Sequence, residues 1–159
     1  MPLENLLQAL QTLNAEDALR ARLDHAQWRM LASYLTQRLL KRGEVLIEIG
    51  EMDRVMYLIE SGTLQVYVPV SASAAAAARR PVAILRAGAV AGEPALFGET
   101  PRMAQVEAMS PAVVWALSRA RMEEFAQQQP DIAFELLRAC GAVMAVRMRA
   151  NLERGLPSA

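Results

Sequence analysis

The stretch GAVAGEPALFGETPRMA (88–104) holds the residues best placed to do chemistry. Gly92, Glu93 and Pro94 stand in a row, a glycine turn followed by an acid and by a proline suited to the first turn of a helix. That pattern predicts one turn of helix over 93–97, with its free backbone N–H groups directed back toward Gly92. A helix start attracts anions, phosphates most of all. Arg102 follows at the expected start of the next strand, and its planar guanidinium suits bidentate phosphate binding. Glu93 would repel the same anion, so its natural partners are hydroxyl groups. A phosphate, hydroxyls and an apolar wall together describe a nucleotide.

Other chemistries lack their parts. The 159 residues contain one Cys, Cys140, and one His, His25. A structural zinc site needs about four Cys or His ligands, and a facial-triad iron site needs two His. His25 reads as an exposed residue in the first turn of a helix, and Cys140, within ELLRACGAVMAV, as a buried, unreactive thiol. A single Cys also fits a reducing compartment. Seventeen basic residues balance seventeen acidic ones, for a formal net charge of zero and a pI of about 6.6. That balance gives no basic excess for nucleic acid. Mean hydropathy is +0.14, and no apolar run approaches the ~20 residues of a membrane span. The start MPLENLLQ carries an acid where a signal peptide would be basic, so the expected location is cytoplasmic.

The elements around the candidate site follow from periodicity. Residues 1–40 read as helices. Leu6, Leu7, Leu10 and Leu13 share one face, and Asp24 with Gln27 forms a capping box opening a helix that continues through LTQRLL to residue 40. From 41 to 118 the sequence alternates short apolar runs with turns: VLIEI (45–49), VMYLIE (55–60), TLQVYVPV (63–70), PVAILR (81–86), RMAQVEAM (102–109) and AVVWALS (112–118). Gly50, Gly62 and Gly88 mark positions that need positive φ. The Ala-rich segment 71–80 reads as a solvated hairpin tip, with a short helix as the alternative. Helices return at 119–155: Ser118 caps the first, Pro130 opens the second, and Gly155 ends it. The expected architecture is a single α+β domain over 1–159 whose antiparallel sheet closes on itself as a barrel.

Gly92-Glu93-x-Ala95-Leu96, four residues, then Pro101-Arg102-x-Ala104 resembles the phosphate-binding cassette (92–104) of the cyclic nucleotide-binding domain family. This module occurs in catabolite-activator-type regulators, protein kinase A regulatory subunits and cyclic-nucleotide-gated channels. RGEVLIEIGE (42–51) and YLIESGTLQVY (57–67) look like its first two hairpins, so the resemblance spans roughly residues 28–150. It implies a jelly-roll β-barrel flanked by N-terminal helices and a C-terminal lid or dimerisation helix. It assigns Arg102 to the cyclic phosphate and Glu93 to the ribose 2′-hydroxyl. Backbone N–H groups of Ala95 and Met103 complete the cradle, and Gly92 lets the ribose approach. Val66, Val82 and Leu85 resemble the purine-facing wall, and Val143, Met144 and Arg147 fall where the lid touches ligand.

The departures carry meaning too. Met103 stands where the family often has Ser, Thr or Ala, which favours cAMP over cGMP. Ala91 replaces a bulkier residue, and Pro94 removes one N–H. The expected function is a non-catalytic sensor that uses no metal or cofactor and signals through its C-terminal helix. Its expected partners are a cyclic nucleotide and either another protein or a second copy through that helix, without membrane insertion. The family's DNA-binding regulators carry a helix-turn-helix after the long helix, and the sequence ends at Ala159, so DNA is not an expected partner. The alternatives are a nucleotide-independent interaction module of the same fold, for example one partnering a transporter or channel, and a metal enzyme on a cupin-like barrel, which would need several His.

Overall fold

The computed structural model describes residues 3–70 and 78–155. Two N-terminal helices, α1 (Leu3–Thr12) and α2 (His25–Ala32), precede eight strands: β1 (Thr36–Leu40), β2 (Val45–Ile47), β3 (Val55–Ser61), β4 (Leu64–Pro69), β5 (Arg79–Leu85), β6 (Val90–Ala91), β7 (Gln105–Ala108) and β8 (Ala112–Ser118). A 3₁₀ turn, Glu93–Leu96, sits between β6 and β7. Helices α3 (Arg119–Gln128) and α4 (Pro130–Glu153) close the fold.

The strands form two four-stranded antiparallel sheets, ordered β1-β8-β3-β6 and β2-β7-β4-β5. This is a jelly-roll arrangement, but the expected closed barrel is not formed, because the two sheets share no strand pairing. Alternating residues of the first sheet face opposite ways. Tyr57, Ile59, Ala91 and Val114 pack against Leu46, Leu64, Leu85 and Val106 of the second sheet. Met56, Leu58, Val90, Trp115 and Leu117 face the helices, meeting Leu6, Leu31, Phe125, Leu136 and Cys140. Such burial drives assembly at roughly 25 cal/mol per Å² of apolar surface.

The N-terminal region departs from the expectation of helix throughout residues 1–40. Asp24 and Gln27 do form the capping box that opens α2. That helix stops at Ala32, and Thr36–Leu40 becomes strand β1, paired in register with Leu40↔Ala112 through Thr36↔Ala116. Tertiary pairing with β8 overrides the local helical periodicity here. Between α1 and α2 the chain is irregular, and Arg20 donates to the Leu10 and Leu13 carbonyls at 3.2 and 2.5 Å. The two-residue strand β6 lies between the expected apolar runs 81–86 and 102–109.

The other elements keep close to their expected bounds. Gly50, Gly62 and Gly88 take φ of 89°, 92° and 93°. At Gly88 a Cβ would lie 2.2 Å from the Ala9 carbonyl oxygen, so a bare backbone lets α1 press on the sheet. Ser118 caps α3, accepting from the Arg121 N–H, and Pro130 opens α4. Of the Ala-rich segment, 71–77 lies outside the described residues, while Arg79 and Arg80 begin β5. His25 is the exposed first residue of α2, paired with Glu4 at 2.9 Å, and Cys140 is buried. Among the described residues no helix is long and apolar enough to cross a membrane.

Candidate functional site

Gly92 turns the chain out of β6 with φ 76° and ψ 17°, a left-handed conformation that side chains other than glycine's rarely tolerate. A Cβ there would sit 2.8 Å from Arg102 Nη1 and 3.0 Å from both Ile47 Cδ1 and the Val55 carbonyl oxygen. Glycine therefore serves the site twice, by its backbone shape and by leaving room for a guanidinium. The turn that follows is 3₁₀ and four residues long. Its Ala95 N–H donates to the Gly92 carbonyl at 3.1 Å. The expected row of free N–H groups is reduced accordingly.

Arg102 is 8% exposed and precedes β7 rather than starting it. Its Nε donates to Asp53 Oδ2 at 3.0 Å and its Nη2 to Asp53 Oδ1 at 2.5 Å and to the Val55 carbonyl. Nη1 donates to the Gly92 carbonyl at 3.0 Å. Four of the five guanidinium N–H bonds are thus engaged, and one on Nη1 has no partner among the described residues.

Glu93 is buried, with 3% exposure. Its Oε1 accepts from Arg147 Nη1 of α4 at 2.8 Å. The same guanidinium gives Nε to Asp17 Oδ2 at 2.9 Å and Nη2 to the Val90 carbonyl at 2.9 Å. Glu93 and Arg102 therefore do not pair with each other; each has its own counter-charge.

Both lie on one cavity of about 270 Å³, close to the size range of small-molecule sites. Of the residues singled out in the sequence, Gly92, Glu93, Ala95, Arg102, Met103, Val66, Val82, Leu85, Met144 and Arg147 all line it. Val143 does not. It is 2% exposed and packs in the core with Val90 and Met56, one helical position away from the face that Met144 and Arg147 present to the cavity. The wall is apolar on the β4–β5 side. Four arginines (Arg54, Arg102, Arg147, Arg154) face two carboxylates (Asp17, Glu93) around it, a balance that favours an anion.

Several lining or supporting residues were not read from the sequence. Asn151 and Arg154 line the cavity, and Arg154 Nη2 donates to the Val82 carbonyl at 2.8 Å, fastening the end of α4 to β5. Their helical spacing from Arg147 is the signal that could have found them. Asp53 and Asp17 sit in irregular segments and carry no local signal. Arg54 and Arg119 brace the loop between the 3₁₀ turn and Arg102: both donate to the Gly98 carbonyl at 2.6 Å, Arg54 also to Thr100 O, and Arg119 also to Ala95 O.

The chain matches the family description of the cyclic nucleotide-binding domain over residues 37–129. It is 30% identical over 97 residues to a cAMP-dependent protein kinase regulatory subunit of Mucor circinelloides f. lusitanicus, covering 61% of this chain and 21% of that protein. The chain thus spans about a fifth of that relative's length. Among solved structures, a cyclic nucleotide-binding domain from Methylobacillus flagellatus superposes with a TM-score of 0.80 at 21% identity, covering 95% of this chain and 80% of that one. The regulatory domain of Toxoplasma gondii PKA with cAMP superposes with a TM-score of 0.62 at 23% identity, covering 77% and 43%.

Proposed function

The chain belongs to the cyclic nucleotide-binding domain family, and from that premise we propose that it is a cyclic nucleotide sensor that prefers cAMP, binds it without turning it over, and signals through α4. The observation that carries this reading is the single cavity joining Arg102, Glu93 and an apolar wall. In it Arg102 takes the cyclic phosphate with its remaining Nη1 hydrogen, while Asp53 holds the plane of the guanidinium. Glu93 accepts the ribose 2′-hydroxyl, and Gly92 lets the sugar approach. Ala95 and Met103 border the phosphate, and Val66, Val82 and Leu85 face the purine. Met144 and Arg147 supply the helical side. No metal or cofactor has a part in this reading.

Signalling follows from connectivity. Arg147 ties α4 to Glu93, and Arg154 ties it to Val82 O. A ligand that contacts both sides favours the state in which α4 packs on the cavity, and so shifts its population. Met103, with no hydroxyl to offer a guanine, supports cAMP over cGMP. Calorimetric titration tests the reading. Binding of cAMP tighter than cGMP is expected; no binding of either below millimolar concentration, or unchanged binding by Arg102→Ala, overturns it.

A second reading concerns the partner. Phe134, Met148 and Leu152 are 71%, 48% and 65% exposed on α4. Phe134, Gly141 and Met148 recur at seven-residue spacing, as do Ala145 and Leu152, the pattern of a helix–helix seam. This supports a homodimer or a protein partner on α4, with or without nucleotide, and sedimentation velocity at several concentrations tests for the former. Zero net charge supports no role for DNA, and one cysteine with no membrane-spanning helix among the described residues supports a cytoplasmic protein.

A further inference from the structure

The geometry points to Asp17, in the irregular segment between α1 and α2, as a positioning residue for the ribose end of the cavity. The inference rests on the reading that Glu93 accepts the 2′-hydroxyl of a cyclic nucleotide. Asp17 lines the cavity, and its Oδ2 accepts from Arg147 Nε at 2.9 Å. The other two nitrogens of that guanidinium go to Glu93 Oε1 and Val90 O, at 2.8 and 2.9 Å. A guanidinium is planar, so acceptors on three of its edges fix both its plane and its rotation within that plane. The three acceptors come from three places: the N-terminal segment, the 3₁₀ turn and β6. Without Asp17 the Nε edge is open, and the long side chain of Arg147 can swing out of line with Glu93 while still touching one oxygen.

The alignment matters because Glu93 is buried. The Arg147 Nη1 bond to one of its oxygens sets which way the carboxylate plane faces, and a hydroxyl is accepted well only along the lone pairs of that plane. Charge alone does not explain Asp17: one arginine facing two carboxylates leaves a negative excess, and the side chain of Asp17 is 34% exposed, where water screens its charge. Its contribution lies in direction. It reaches the ligand only through Arg147 and Glu93, and makes the N-terminal segment part of the binding site.

The test compares cAMP with 2′-deoxy-cAMP by calorimetry on the full chain. The unaltered protein should prefer the ribose form by about tenfold, the value of one hydrogen bond to a charged acceptor. Asp17→Ala should narrow that preference to about threefold while leaving 2′-deoxy-cAMP affinity nearly unchanged, and Asp17→Asn, which keeps an acceptor, should fall between. Circular dichroism confirms the fold of each variant. If Asp17→Ala weakens both ligands alike, or neither, Asp17 does not position Glu93. If cAMP binds but the unaltered protein shows no ribose preference, the inference fails while the phosphate half of the reading stands. If neither ligand binds the unaltered protein, the reading itself fails, and this inference with it.

Discussion

Asp53 grips Arg102 along one whole edge of its guanidinium, Oδ2 to Nε at 3.0 Å and Oδ1 to Nη2 at 2.5 Å. The arginine side chain is 7% exposed and the aspartate 35%. A charge buried to that depth is costly without its partner, and breaking a fully buried pair costs about 3–5 kcal/mol. Because Asp53 is partly open to water and two carbonyls remain on Arg102, Asp53→Ala should cost less, about 2 kcal/mol. A lower urea midpoint at an unchanged slope would show it. An unchanged midpoint would mean that the Val55 and Gly92 carbonyls suffice.

Arg102→Lys keeps the charge but loses the fork. An ammonium cannot hold both Asp53 oxygens, two carbonyls and a phosphate in one plane. With the one charge-assisted hydrogen bond to the phosphate lost and the guanidinium plane gone, cAMP affinity should drop by about tenfold. Titration of the lysine variant reads this directly, and affinity within threefold of the parent would show that a point charge is enough.

Gly92→Ala and Gly98→Ala form a matched pair within the cassette. At Gly92, a positive φ of 76° and a Cβ 2.8 Å from Arg102 Nη1 act together. The strained backbone costs about 1–2 kcal/mol, and the displaced guanidinium should cost affinity as well. Gly98 has no such φ and no atom within 4 Å of its added Cβ, so alanine there should change stability by less than about 0.5 kcal/mol. Thermal melts and titrations of both variants check the contrast. Equal effects would show that cassette flexibility, not the shape of Gly92, is what matters.

The cassette was legible because turn chemistry and charge are local: a glycine, an acid, a proline and an arginine at fixed spacing mark a position whatever surrounds them. Ser118, Asp24 and Pro130 announced helix starts for the same reason. What escaped was non-local. Thr36–Leu40 looks helical until β8 is there to pair with it. Sheet closure depends on edge pairings that no periodicity encodes. Val143 and Met144 are neighbours in sequence, and only the rotation of α4 decides that the second, not the first, reaches the cavity. Asp53 and Asp17 reach their arginines across 49 and 130 residues of chain, from segments with no pattern of their own.

Burial pushes the Cys140 thiol up to about 12, and the nearby Glu93 carboxylate adds to the effect. The thiol lies 3.5 Å from Met56 Sδ in the core beneath the site. Against an ordinary thiol near 9, three units leave about a thousandfold less thiolate at pH 8. Because the thiol is also 0% exposed, iodoacetamide should modify the native chain at least about a thousandfold more slowly than the urea-unfolded chain. A comparable rate in both would place the thiol at the surface. The raised value also contributes stability below pH 9 that is lost as pH climbs toward 12.

Glu135 does the opposite at acid pH. Arg138 holds both its oxygens, at 2.8 and 2.7 Å, and the Arg22 backbone N–H donates to it at 2.7 Å, joining α4 to the N-terminal segment. Those bonds, the Arg138 side chain first and the Arg22 N–H second, lower its carboxyl from 4.5 to about 2. A depressed native value stabilises the fold above the unfolded value and ceases to do so as protons bind. The contribution is complete above pH 4.5 and disappears as pH falls toward 2. Glu44 and Glu99 are lowered by Lys41 with Arg38 and by Arg119 respectively, so the whole chain should weaken in acid, and the parent's urea midpoint alone cannot isolate Glu135. The difference between the parent and Glu135→Gln can. It should be constant from pH 7 to about 5 and shrink between 4.5 and 2. A difference that stays constant to pH 2 would show that Glu135 stabilises the fold through shape and neutral hydrogen bonding, with its charge contributing nothing.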